Sequence, residues 1–131
     1  MKAWDTNLLV RHLLEDDAEQ LAIVRDELTT AERRNQKIWL SQISLVETAW
    51  VLGSHLGKTE VLDTLGEVIA DSRFAVQDAP VVAAAIERAR TRGDLPEHLT
   101  AQSALSIGCE RTQTFDKDVR RFPEFEVLPD E

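Results

Sequence analysis

The chain has 131 residues, with 15 Lys and Arg against 24 Asp and Glu for a net charge of −9, so a general basic surface for nucleic acid is excluded. A hydrophobic share of 43% beside 30% charged residues argues for a folded soluble domain rather than a disordered chain, and at this length one domain over residues 1–131 is expected, large enough to bury a core. The single cysteine, Cys109, excludes an intrachain disulfide framework and a Cys-based zinc site; apolar runs fall short of the roughly 20 residues of a membrane helix, and Met1-Lys2-Ala3-Trp4-Asp5 lacks the apolar stretch of a secretory signal, so a cytoplasmic protein without membrane contact is expected.

Lys2-Ala3-Trp4 reads as a short strand ending at Asp5, and Leu8, Leu9, His12 and Leu13 give Thr6–Leu14 helical spacing. Leu21, Val24, Leu28 and Ala31 predict an amphipathic helix over Ala18–Arg34. Lys37–Leu40 reads as a strand, Leu45–Leu56 as a helix closed by Gly57, and Thr59–Ala70 as another helix. Phe74–Val76 is a strand. Asp78 and Pro80 open a helix that Gly93 closes. Pro96–Ile107 is the next helix, Thr112–Phe115 a strand, Asp116–Arg121 a polar turn and Phe125–Leu128 a last strand. Short apolar strands alternating with helices predict a three-layer α/β/α sandwich with a short, mostly parallel central sheet.

Ligands of open α/β sheets collect at the carboxyl ends of the strands. Asp5 and Asp116 each follow a strand, Asp94 and Glu97 enter a helix after Gly93, and Glu47 is the only charged residue between Lys37 and Lys58. Each has a plain structural alternative. Asp5 reads as a helix cap, Asp94 to Glu97 as a variant capping box, Asp116 as a turn former, and Glu47 as a solvated side chain. Acids brought to one edge repel each other and call for a hard divalent cation. Mg²⁺ accepts oxygen ligands, keeps several waters, and can activate one of them against a phosphodiester. The basic residues fall in groups, Arg33 with Arg34, Arg88 with Arg90 and Arg92, and Lys117 with Arg120 and Arg121. These read either as solvated helix faces or as a basic rim around an acidic pocket.

Four segments resemble, in order, the motifs of the PIN-domain ribonucleases, and within that family the toxins of the VapBC toxin–antitoxin type. They are Trp4-Asp5-Thr6-Asn7-Leu8-Leu9, Ser44-Leu45-Val46-Glu47-Thr48-Ala49, Gly93-Asp94-Leu95-Pro96-Glu97-His98-Leu99, and Thr114-Phe115-Asp116-Lys117-Asp118. The resemblance implies an Mg²⁺-dependent endoribonuclease (Mn²⁺ as substitute) that hydrolyses RNA with metal-activated water. It implies that Asp5, Glu47, Glu97 or Asp94, and Asp116 form the acidic pocket. Asp5 and Glu97 are then the first choices for direct metal contact, with Asp94 as the alternative. Glu47 and Asp116 would bind a second ion or metal-bound waters, with Asp118 a weaker addition. Thr6, Asn7 and Thr114 would orient carboxylates or a phosphate, and Lys117 and Arg120 with Arg121 would touch RNA. A cognate antitoxin protein and a homodimer are implied partners. The third motif departs from the family's Asp-Phe-x-Asp-x-Leu-Ile-Ala. Glu97 stands where the usual ligand is Asp, which leaves the choice between Asp94 and Glu97 open.

Two other readings compete. A haloacid-dehalogenase-type phosphatase also places an Asp after its first strand, but wants a second Asp where this chain has Asn7. A degenerate PIN-like protein-binding module would account for Glu97. His12 is expected to be a partly buried structural residue, and no role in the chemistry is assigned to His55 or His98. Cys109 is expected to be a packed thiol, and Trp4, Trp39 and Trp50 core or near-core residues.

Overall fold

The computed structural model describes residues 1–129. The elements follow the chain as β1 (Lys2–Ala3), α1 (Thr6–Leu14), α2 (Ala18–Arg33), β2 (Ile38–Leu40), α3 (Gln42–Leu52), α4 (Lys58–Ala70), β3 (Phe74–Val76), α5 (Ala79–Thr91), α6 (Leu95–Ser106), β4 (Thr112–Thr114) and β5 (Phe125–Val127), with a 3₁₀ turn over Lys117–Val119. This is the helix-rich α/β class with parallel strands that the sequence predicts. The strands lie in two sheets, however, rather than in one central sheet. The chain divides into two compact units, Met1–Ala79 and the part from Pro80 onward.

In the first unit β1, β2 and β3 pair in parallel, with Lys2 beside Ile38 and Ile38 beside Phe74. Parallel neighbours need crossovers, and the α1–α2 and α3–α4 pairs supply them. The central strand β2 buries Ile38 and Leu40. Helix α2 turns Leu21, Val24 and Leu28 inward at three- and four-residue spacing, and α4 does the same with Val61, Leu62, Leu65 and Val68. Local caps set the helix starts. Asp17 accepts from the Gln20 N–H at the head of α2. Ser41 accepts from the Ser44 N–H, so α3 begins at Gln42, three residues before the predicted start. Helix α3 also stops at Leu52, and Gly57 serves as the N-cap of α4 rather than as the end of α3.

In the second unit β4 and β5 pair in parallel, Thr112 beside Phe125 and Thr114 beside Val127. Helix α5 buries Val82, Ala85, Ile86 and Ala89. Ala101 of α6, Val119 and Phe125 form a buried cluster with Phe122 packed against it. Glu124, 4% exposed, is held by the Arg88 guanidinium at 2.6 Å and faces the Gln102 amide at 3.4 Å.

Two packing expectations are corrected. Trp50 is 83% exposed rather than core, because α3 is apolar on nearly every face and its periodicity marks no buried side. Cys109 is exposed rather than packed, since it lies just past the end of α6 and follows Gly108 at φ 97°. Trp4 is buried as expected and Trp39 is half-buried.

Candidate active site

Two of the candidate acids, Asp5 and Glu47, lie at the start of α1. Asp5 is its N-cap and accepts from the backbone N–H groups of Asn7 at 3.1 Å and Leu8 at 3.4 Å. The helix dipole favours a negative charge there. The next residue, Thr6, donates from its hydroxyl to the Glu47 carboxylate at 3.3 Å, tying α1 to α3. Glu47 itself is exposed. Asn7 is also exposed.

The second unit brings together Asp94, Glu97 and Asp116. Asp94 caps α6 by accepting from the Glu97 N–H at 2.8 Å, and its own backbone N–H returns a hydrogen bond to Glu97. The local half of this pattern is therefore the capping box that the Asp-x-x-Glu spacing predicts. The other half comes from far along the chain. Asp116 follows β4 and receives a hydrogen bond from Glu97. Its backbone N–H is anchored on the Thr114 hydroxyl at 3.1 Å, and its carboxylate accepts from the Asp118 N–H at 2.9 Å. Burial, then the hydrogen bond to Asp116 and the charges of Asp116 and Asp94, push the Glu97 carboxyl up to about 7. The protonated form of Glu97 can donate to Asp116, which relieves the repulsion between the neighbouring carboxylates.

The turn before α6 holds this arrangement. Gly93 sits at φ 81°, and a Cβ there would lie 2.9 Å from both the His98 Nε2 and the Val119 Cγ1. His98 is fully buried, lies edge-on against Phe122 and Phe125, and its Nε2 meets the Arg92 carbonyl at 2.6 Å. A carbonyl accepts, so Nε2 carries the proton. His98 is structural, and neither its burial nor its part in fixing the Gly93 turn is read from the sequence. Its place three residues after buried Leu95, on the same helix face, was the available signal. His12 is also structural, packed edge-on against Trp4 and Phe74.

The donors available to a metal are carboxylate oxygens, the hard ligands that Mg²⁺ takes. Among the described residues no group of three or more His, Cys, Asp or Glu is arranged to hold a metal ion. The Glu97–Asp116 pair offers two carboxylates, and a cation held there would complete its shell with water. Lys117 and Arg120 are exposed and border a concavity with Arg92, Asp118 and Arg121.

The sequence matches the PIN domain family over residues 3–125, and the chain belongs to that family. Its helix-rich α/β fold with short parallel sheets is consistent with a PIN-like α/β/α architecture. PIN domains are generally nucleases, so the chain carries a nuclease-type fold. No curated protein and no solved structure matches it significantly.

Proposed function

We propose that this chain is an Mg²⁺-dependent endoribonuclease, the toxin of a type II toxin–antitoxin pair, with Mn²⁺ able to replace Mg²⁺. The observation that carries the reading is the close contact of Glu97 with Asp116 beside Asp94, which raises the Glu97 carboxyl to about 7. A divalent cation would take the proton's place there, held by Glu97 and Asp116, and when bound it supplies an activated water for phosphodiester hydrolysis. Asp94 serves chiefly to start α6 and turn Glu97 toward Asp116. Thr114 fixes the backbone that presents Asp116. Asp5 and Glu47 are assigned to the same chemistry by their motifs, Asp5 as a metal ligand and Glu47 through metal-bound water, with Thr6 orienting Glu47 and Asn7 available to a phosphate.

The family match runs across the junction at residue 79 and supports reading residues 1–131 as one PIN-like domain. Ile43 and Trp50, seven residues apart on α3, are 71% and 83% exposed, which favours a protein contact with a second copy or an antitoxin. No helix among the described residues is long and apolar enough to cross a membrane.

The test is cleavage of an RNA panel by the purified chain with Mg²⁺ or Mn²⁺ and then with EDTA, beside Glu97→Gln prepared identically. Metal-dependent activity that falls with Glu97→Gln supports the reading. Cleavage that survives EDTA counts against it. If no RNA is cut, calorimetric Mn²⁺ binding that is retained favours a narrow RNA substrate, and absence of Mn²⁺ binding favours the protein-binding alternative.

A further inference from the structure

In a chain of net charge −9, most arginines with a described ion pair face a carboxylate singly: Arg11 with Asp16, Arg25 with Glu15, Arg88 with Glu124 and Arg111 with Glu126. Arg92, Lys117, Arg120 and Arg121 differ. All four are exposed, border one concavity of about 320 Å³, and have no carboxylate within ion-pair distance among the described residues, although Asp118 shares the rim. Their convergence is built by the fold. The Gly93 turn rests directly on Val119 of the 3₁₀ turn, which sets Arg92 beside the segment carrying the other three cations.

Four cations around one rim, against the single carboxylate of Asp118, leave an excess of positive charge that an anion relieves. A second concavity of about 370 Å³ shares Arg120 and Arg121 and continues past Arg111, Phe122 and Pro123. Arginine forks match phosphate oxygens in two-point contacts. Half-buried Phe122 and neighbouring Pro123 offer an apolar wall to an unstacked base. Both concavities lie in the second unit, which also holds the Glu97–Asp116 pair.

We infer that Arg92, Lys117, Arg120 and Arg121 form a phosphate-binding groove that seats the backbone of single-stranded RNA across at least two consecutive phosphates. This deepens the nuclease reading and rests on it for the identity of the polyanion. The sequence offers Arg92 only as one member of a possible basic rim with Arg88 and Arg90, and the groove singles it out and makes Arg121 a principal contact with Arg120.

The test is fluorescence anisotropy of a labelled single-stranded oligouridine in EDTA, titrated with the chain at several salt concentrations. The chains compared are the wild type, Arg120→Gln/Arg121→Gln, and Arg33→Gln/Arg34→Gln as a charge-matched control, each checked for folding by circular dichroism. The groove variant is expected to bind about tenfold more weakly at low salt, with a salt slope shallower by about 1.4, from about 0.7 per lost single-strand phosphate contact. The control should stay near wild type. Equal losses in both double variants, unchanged binding of the groove variant, absence of wild-type binding, or displacement by polyglutamate at equal charge would each overturn the inference. Because EDTA removes cleavage from the readout, RNA bound in the groove by a chain that never cuts would sink the nuclease reading alone. Metal-dependent cleavage with unchanged groove-variant binding would sink the groove alone.

Discussion

The Glu97 carboxyl donates a hydrogen bond to the Asp116 carboxylate, joining the first turn of α6 to the residue after β4. Neither acid can be fully ionised without repelling the other, and Asp94 at the helix cap adds to that repulsion. The contact is therefore held by a proton, or by a cation that replaces it.

The pair makes stability depend on pH. The carboxyl of Glu97 is raised from its ordinary 4.5 to about 7, so between those values the folded chain holds more proton than the unfolded chain. The stabilisation is fully present below about 4.5 and is lost as pH rises through about 7. Glu97→Gln, which keeps a donor without the charge, is expected to raise the metal-free melting temperature at pH 8 and to have little effect near pH 4.5. Thermal scans at both values in EDTA check this, and Mg²⁺ at pH 8 should raise the wild type more than the variant.

His12 works in the opposite direction. Burial first, and then the Arg73 charge, hold its imidazole below 6.5, and its Nδ1 is buried without a partner. Asp71 and Glu15 oppose this, while Arg25 adds to it. Its contribution to stability is present above pH 6.5 and is lost as pH falls below that toward the lowered value. His12→Phe keeps an aromatic ring against Trp4 and Phe74. It is expected to lose less melting temperature than wild type between pH 7.5 and pH 5, measured by near-ultraviolet circular dichroism.

Gly93→Ala tests the turn under the acidic pair. The substitution combines a left-handed backbone with contacts of 2.9 Å to His98 and Val119. A cost of about 2–4 kcal/mol is expected from strain and overpacking together. Urea unfolding gives the number, and a loss below 1 kcal/mol would show a turn that yields easily.

Arg88→Leu strands the buried Glu124 carboxylate, whereas Arg90→Leu removes a partner from exposed Glu87. The first is expected to cost about 2–3 kcal/mol, discounted from a fully buried pair because Arg88 is partly exposed, and the second below about 1 kcal/mol. Equal losses would mean that burial of Glu124 contributes nothing.

Local chemistry was the readable part of this chain. Asp5, Asp17 and Asp94 precede regular apolar spacing and start α1, α2 and α6 by capping bonds that span two or three residues. Helix α3 was displaced in the reading because Ser41 caps it earlier than its apolar run implies, and Trp50 was misjudged because that run has no polar side. At the site, the reciprocal bonds of Asp94 and Glu97 follow from their spacing. The contact of Glu97 with Asp116 does not, since it depends on how α6 and β4 pack and on Gly93 resting against His98 and Val119. The sequence leaves Arg92 between a solvated helix face and a basic rim, and the Gly93 turn is what sets it beside Lys117, Arg120 and Arg121.

The most direct test of the central claim is RNA cleavage by the wild-type chain and by Asp5→Asn purified in parallel, with Mg²⁺ and with EDTA. The account predicts cleavage that requires the metal and disappears in the variant. Cleavage equal in the two chains, or undiminished by EDTA, would contradict it.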